Sequence, residues 1–258
     1  MSEATPLGTP SELVDLTGTV IVVTGAGGGI GAGIAQRCSA AGAAVVAHTR
    51  TTPIDPSGFV GPVATVEADL TSDDGPATVL AAAVDRFGRV DGLVNNAGIQ
   101  PVAALDVMHD DEVRAVLDAN VIAVHRLTRA VAGHLVERRA PGSIVHVASI
   151  EGRQPAPGHV HYAAAKAAVI MHARAAASEY GRSGIRVNSV SPGLIDRPGL
   201  QDDWPDGVAR WHASVPLARL GRPTDVGDAC VFLLSPMARW ITGADLVVDG
   251  GVLTRPTW

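Results

Sequence analysis

Two short stretches of this sequence place reactive side chains where chemistry is expected. The first is HVHYAAAKAAV, residues 159 to 169. Residues i and i+4 of a helix share a face with Cβ atoms about 5–6 Å apart, so Tyr162 and Lys166 would be neighbours on a face otherwise left bare by alanine. Lys166 is the one lysine among 20 Lys and Arg residues. Arginine is effectively always protonated, whereas lysine is a compact point charge that can sit in a pocket and contact small polar groups. The second stretch is TGAGGGIG, Thr24 to Gly31, which follows an apolar run and leads into a helix-like segment. Its glycines would let the backbone turn sharply and approach a pyrophosphate at a helix N-terminus, where free N–H groups and the dipole favour an anion. Gly25, Gly29 and Gly31 form G-x-x-x-G-x-G; the spacing is not G-x-G-x-x-G, and the absence of G-K-[ST] excludes a P-loop. Taken alone, a tight glycine turn without a ligand is the plain alternative.

Such residues need a frame to hold them. Apolar, β-branched runs recur at residues 19 to 24, 43 to 47, 62 to 68, 92 to 95, 143 to 148, 186 to 191 and 245 to 249. Between most of them lie helix-like segments with apolar faces, at 30 to 41, 73 to 87, 110 to 139, 160 to 180 and 224 to 235. Alternation of this kind predicts βαβ units, a parallel α/β sheet and helices on both of its faces. No repeat or low-complexity linker divides the chain, so residues 17 to 258 are expected to form one doubly wound domain. Residues 1 to 16 are expected to be a loose N-terminal extension. The stretch from 194 to 216, with Pro198, Pro205 and Pro216, is the one long irregular connection, and such loops are usually functional or disordered.

Composition narrows the function. A net charge of −6 with no basic block argues against a phosphate-backbone partner, so no nucleic acid is expected. Cys38 and Cys230 lie in apolar, helix-like contexts without C-x-x-C spacing and read as reduced core thiols of a cytoplasmic protein. The N-terminus lacks a basic region followed by an apolar run, so no signal peptide is read there. The longest uncharged stretch, residues 16 to 36, is interrupted by glycine and is no membrane span. His159-x-His161 lacks a supporting carboxylate or cysteine pattern, so no metal is expected.

A wider set of residues carries a resemblance. Asn95-Asn96-Ala97-Gly98 follows the fourth strand, Ser149 follows the fifth, and Tyr162-x-x-x-Lys166 comes thirteen residues later. Together with the glycine loop, Asp69 after the third strand, Asn120 inside the long helix, Ser191-Pro192-Gly193 and the closing ITGADLVVDGG, this order resembles the short-chain dehydrogenase/reductase family from about Gly18 to Gly251. The resemblance implies a single Rossmann-type domain and a nicotinamide cofactor that supplies the hydride chemistry. It implies Tyr162 as general acid/base, Ser149 as a hydrogen-bond partner of the reacting oxygen, Lys166 on the ribose hydroxyls, and Asn120 holding a water that links Lys166 to solvent. A phenol has a free pKa of about 10, too high for efficient exchange near neutrality. A cation fixed about 4 Å away is worth roughly 4 kcal/mol at an effective dielectric of 20, or about three pKa units as a ceiling, and Lys166 with an oxidised nicotinamide ring could supply that shift to Tyr162. Cofactor contacts are implied at Gly25, Gly29, Ile30, Gly31, Thr49, Arg50, Asp69, Leu70, Asn96, Ala97, Gly98, Tyr162, Lys166, Pro192, Gly193 and Ile195.

The second strand ends VVAHTRTTP, with Thr49 where an acid for an adenosine 2′-hydroxyl would stand and Arg50 beside it. An arginine with threonine hydroxyls suits a 2′-phosphate. NADP(H) is therefore favoured and NAD(H) remains the alternative, since Gly28 occupies a loop position that is often basic in NADP-using relatives. The resemblance places the substrate loop at 194 to 216, where Trp204 and Trp211 would wall a partly apolar pocket or pack on the protein's own core. Arg197 stands where relatives often have the threonine that steadies the cofactor, which leaves that contact open. Arg153, Gln154, His159 and His161 flank Ser149 and Tyr162 and could touch substrate. HDDE, 109 to 112, reads as an acidic helix start. The expected activity is interconversion of a ketone and a secondary alcohol on a small or medium-sized substrate. The competing readings are NAD-linked alcohol oxidation and, in a different class, a catalytically silent nicotinamide-binding sensor or scaffold. By resemblance, the long helices would form the interface of a homotetramer; a homodimer is the alternative.

Overall fold

The structure is a computed structural model that describes residues 14–254. Strand β1 (Val20–Val23) enters helix α1 (Gly29–Ala40), followed by β2 (Ala44–Thr49), β3 (Val63–Glu67), α2 (Gly75–Phe87) and β4 (Gly92–Asn95). The second half runs through α3 (Asp110–Leu117), a π-helical turn (Asp118–Ile122), α4 (Ala123–Glu137), β5 (Gly142–Val147), α5 (Val160–Tyr180), β6 (Ile185–Pro192), the short α6 (Leu200–Asp203) and α7 (Pro205–Ser214), α8 (Pro223–Leu234) and β7 (Asp245–Val248). The seven strands form one sheet in the order β3-β2-β1-β4-β5-β6-β7, and all pairs are parallel. Val22 stands between Val46 of β2 and Leu93 of β4.

Every residue of β1 is buried, as a strand covered on both faces requires. Alternation divides the strand between two cores. Ile21 and Val23 join Ile34 and Cys38 of α1 and Cys230 and Leu233 of α8. Val20 and Val22 join Val79 of α2, Leu127 and Leu135 of α4, and Ala173 of α5. Helices α1 and α8 approach closely because a Cβ on Gly33 would lie 2.5 Å from Pro223 and one on Gly227 would lie 2.7 Å from Arg37. The strand order reverses between β1 and β4, the place where open α/β sheets bind ligands beyond their carboxyl ends.

Three expectations change in detail. The helix read at 110 to 139 is interrupted by the π turn, which holds Asn120. The connection from 194 to 216 contains α6 and α7 and is not irregular throughout. Residues 1 to 13 of the expected extension lie outside the described residues, but Leu16 is only 2% exposed and belongs to the core, with its N–H donating to Ala41 O at 2.7 Å. The acidic start of α3 is capped as its sequence suggests: the His109 N–H donates to Glu112 Oε2 at 2.7 Å. No described helix is long and apolar enough to cross a membrane.

Ile144 of β5 is fully buried in the core beneath α4 and α5, directly before the strand end that presents Ser149. Ile144→Ala is expected to destabilise the protein by about 2–5 kcal/mol in urea unfolding, and a loss under about 1 kcal/mol would contradict this packing.

Candidate active site

The glycine turn is fixed by side chains from the neighbouring strand end. Thr24 Oγ1 accepts hydrogen bonds from the N–H groups of Asn96 (2.9 Å) and Ala97 (3.0 Å). Asn96 Nδ2 donates back to Thr24 O at 2.9 Å. Gly25 has φ +66° and room for no side chain, since its Cβ would lie 2.9 Å from Asn96 Nδ2. Gly31 is more restricted still: its Cβ would lie 2.0 Å from Gly25 O. A Cβ on Gly28 or Gly29, by contrast, would meet nothing within 4 Å. The N-terminus of α1 therefore faces open space with no acidic residue in its first turn, which suits an anion.

Above this turn lies a cleft of about 400 Å³. Gly25, Ile30 and Gly31 form its floor, Thr49 and Arg50 come from the end of β2, Asp69 and Leu70 follow β3, and Asn96, Ala97 and Gly98 follow β4. Asp69 accepts from the hydroxyl (2.7 Å) and the N–H (2.9 Å) of Thr71. These bonds hold its carboxyl below the usual range, with a smaller contribution from Arg50. Sequence reasoning left out His48, whose signal is a lone histidine in the apolar run of β2. Its Nδ1 accepts from Gly25 N–H at 3.3 Å and its Nε2 donates to Ala68 O at 3.0 Å, and burial lowers its pKa.

The second group gathers where β5 ends. Ser149 precedes a 3₁₀ turn, Ile150–Gly152, and its Oγ accepts from Glu151 N–H at 3.1 Å. Its side chain also hydrogen-bonds Tyr162 in the first turn of α5. Lys166, one turn later, is 5% exposed; its Nζ lies 5.5 Å from the Tyr162 ring centroid and donates to Val147 O at 2.8 Å. Asn120 is fully buried and grips one peptide from both sides: Oδ1 accepts from Ile99 N–H and Nδ2 donates to Ile99 O, each at 2.8 Å. A Cβ on Gly98 would lie 2.6 Å from Asn120 Oδ1 and 3.8 Å from Lys166 Nζ. Gly98 thus joins the glycine cleft to the Ser149, Tyr162 and Lys166 group.

The chain's own residues do not lower the phenol. Burial pushes Tyr162 up to about 12, the Ser149 hydrogen bond opposes the rise, and the charge of Glu151 adds to it. Burial also pulls Lys166 down to about 8. Lys166, brought down to about 8 by its own burial, has lost its charge before the phenol titrates and so does not hold it down.

Other expected contacts are not brought to the cleft lining. Pro192 ends β6, Gly193 N–H donates to Val248 O at 3.0 Å, and Ile195 lines a second hollow of about 540 Å³ with Trp211. Trp204 instead packs over Gly207 and under Arg210, half-exposed. Arg197 pairs with Asp203 at 2.7 Å. Arg153 pairs with the buried Asp245 at 2.7 Å, Gln154 is exposed, and His161 is buried with neither ring nitrogen partnered among the described residues. No group of three or more His, Cys, Asp or Glu is placed to hold a metal among the described residues.

The family described as Enoyl-(Acyl carrier protein) reductase matches residues 25–253. The chain is 36% identical to 3beta-hydroxysteroid dehydrogenase 1 of Eggerthella lenta over 253 residues, covering 94% of this chain and 96% of that one. The chain belongs to the short-chain dehydrogenase/reductase family. Among solved structures of similar fold is a 7 alpha-hydroxysteroid dehydrogenase complexed with NADH and 7-oxo glycochenodeoxycholic acid. It has a TM-score of 0.89, 30% identity, and coverage of 95% of this chain and 98% of that one. Another is the gluconate 5-dehydrogenase of Burkholderia cenocepacia in complex with NADP and tartrate (TM-score 0.85, 28% identity, 96% and 100% covered). This short-chain dehydrogenase/reductase is accordingly an NAD(P)(H)-dependent oxidoreductase.

Its buried lysine has a cost that can be measured. Lys166 titrates at about 8 in the fold against an ordinary 10.5, so between those values the unfolded chain binds more protons and stability rises with pH. Lys166→Met in the cofactor-free dehydrogenase is expected to raise Tm at pH 7 by at least ~2 °C and to lose that gain as pH approaches 10.5. Thermal melts across this range check it; an equal Tm difference at every pH would refute the assignment.

Proposed function

We propose that this enzyme interconverts a secondary alcohol and a ketone with NADP(H). The carrying observation is the convergence of Ser149, Tyr162 and Lys166 at the end of β5, joined through Gly98 to a glycine-floored cleft. The nicotinamide, when bound, supplies the hydride chemistry. Ser149 orients the reacting oxygen by a hydrogen bond, and Tyr162 donates a proton to it in reduction or takes one from it in oxidation. A pKa near 12 keeps the phenol protonated at neutral pH, which suits donation. Lys166 spends one N–H on Val147 O, leaving two for ribose hydroxyls. Asn120 spends one N–H and one oxygen lone pair on Ile99, which leaves one of each for a relay water. Gly25, Ile30, Gly31, Asp69, Leu70, Asn96, Ala97 and Gly98 would hold the rest of the cofactor. Pro192, Gly193 and Ile195 would border the nicotinamide end.

The preference for NADP(H) is supported by Arg50, exposed at the cleft rim with Thr49, Thr51 and Thr52 around it. The one acidic residue lining that cleft, Asp69, follows β3 and is engaged by Thr71. A cytoplasmic setting fits the two buried free thiols, Cys38 and Cys230. Exposed apolar Val136 on α4 and Met171 on α5 support association through these helices into a homotetramer.

Titrations of NADPH and NADH with an absorbance screen of ketones and alcohols test the reading. Arg50→Ala is expected to weaken NADPH about tenfold, or about 1.4 kcal/mol, without affecting NADH; equal losses would remove the role. Tyr162→Phe should abolish turnover with cofactor affinity nearly intact, and unchanged turnover would sink its assignment as the acid/base.

A further inference from the structure

Beside Tyr162 stands a second polar cluster that the proposed hydride and proton chemistry leaves unused. It is assembled from three chain segments at the carboxyl ends of neighbouring strands. Gln100 follows β4, Glu151 lies two residues after Ser149, and His159 immediately precedes α5. Glu151 Oε1 accepts from Gln100 Nε2 at 3.0 Å, and Glu151 Oε2 accepts from His159 Nδ1 at 2.8 Å. The Glu151 and His159 side chains are each 16% exposed. The His159 and Tyr162 rings stand 6.1 Å apart, and the Glu151 N–H is bonded to Ser149 Oγ. The cluster is therefore attached to both residues assigned to the reacting oxygen.

Two features speak against a purely structural role. The carboxylate is taken up by Gln100 Nε2 and His159 Nδ1, and His159 Nε2 and Gln100 Oε1 make no hydrogen bond to other described residues. A largely buried acid and imidazole cost desolvation, which folding alone does not obviously recover. Moreover, the negative charge of Glu151 opposes ionisation of Tyr162, so its presence works against proton uptake by the phenol. The chemistry available is one imidazole nitrogen, which accepts when neutral and donates when protonated, and one amide oxygen, which accepts. Hydroxyl groups both donate and accept, and a site built to bond them discriminates strongly against analogues that lack them.

We infer that Gln100, Glu151 and His159 are specificity-determining residues that bind a second hydroxyl close to the reacting carbon, so the substrate is a polyol or sugar rather than a simple apolar alcohol. This rests on the assignment of Tyr162 and Ser149 to the reacting oxygen. It adds a polar wall to a substrate site for which the sequence suggested a partly apolar one. Glu151 holds His159 in place, and His159 and Gln100 meet the substrate.

The test uses the full chain with NADP⁺ and matched alcohols: cyclohexanol against the cyclohexane-1,2-diols, and hexan-2-ol against hexitols and aldohexoses. Hydroxylated members are expected to exceed their simple counterparts at least tenfold in kcat/KM. Glu151→Gln and His159→Phe should each cut that ratio at least tenfold, chiefly through the polyol KM, while the Kd for NADPH stays unchanged. If the variants lower both classes equally, the cluster only supports Ser149 and the inference is overturned. It is equally overturned if simple alcohols are preferred, or if no hydroxylated member turns over while NADPH still binds. Those results leave the cofactor reading standing; failure to bind NADPH or NADH removes both.

Discussion

The hydroxyl of Thr24 accepts two main-chain N–H groups from the residues that follow β4, and the geometry of the whole site follows from this tie. It binds the end of β1 to the end of β4 where the strand order reverses, so the glycine turn cannot move independently of Asn96, Ala97 and Gly98. Asn120 then clamps the peptide of Ile99, and Gly98 is enclosed between Asn120 and Lys166. Lys166 in turn is anchored to Val147 O, two residues before Ser149. A continuous set of hydrogen bonds and close contacts therefore runs from the anion-accepting helix end to the phenol. Precision of this kind comes from rigid elements, not from loops.

The π turn at Asp118–Ile122 belongs to the same set. Such turns are rare and occur frequently at functional sites. Here the turn carries Asn120, whose amide meets the loop after β4. The interruption between α3 and α4 thus coincides with Ala119, which lines the cleft, and with Asn120. Stability and function also pull against each other nearby. Lys166 is buried with a single main-chain acceptor, and Tyr162 is desolvated without a cation that lowers its pKa. A bound cofactor with a positive nicotinamide ring would change that balance.

The fold was legible because parallel strands covered on both faces must be apolar along their whole length, as in VIVV and GLVN, while the intervening helices show apolar faces. The carboxyl ends of strands, and hence the placement of Asn96, Ser149 and Asp69, followed from that alternation. Spacing revealed Tyr162 and Lys166, because one helical turn decides their proximity. It could not reveal the π turn, whose extra residue leaves no periodic trace in DANVI, nor α6 and α7, which are short and bounded by prolines. Sequence gives the nearness of Lys166 to Tyr162 but not the burial of both, which raises the phenol and lowers the ammonium in the chain by itself. Glu151 was invisible for a related reason: its partners Gln100 and His159 come from other segments and meet only in the folded chain.

Behind Lys166 the core solves a further electrostatic problem. His146 of β5 is fully buried, and a charge on it would repel the ammonium. The Asn95 amide donates one proton to Thr128 Oγ1 and the other to His146 Nδ1, both at 3.1 Å. His146 must then carry its own proton on Nε2, which donates to His172 Nδ1 at 3.1 Å, and His172 Nε2 donates to His125 Nδ1 at 3.3 Å. The Nδ1 lone pairs of His146 and His172 each accept a hydrogen bond, and burial lowers the pKa of both rings. Burial, together with His172 and Lys166, pushes His146 down to about 3. His146 and His172 thereby satisfy each other as neutral groups beside the Lys166 ammonium.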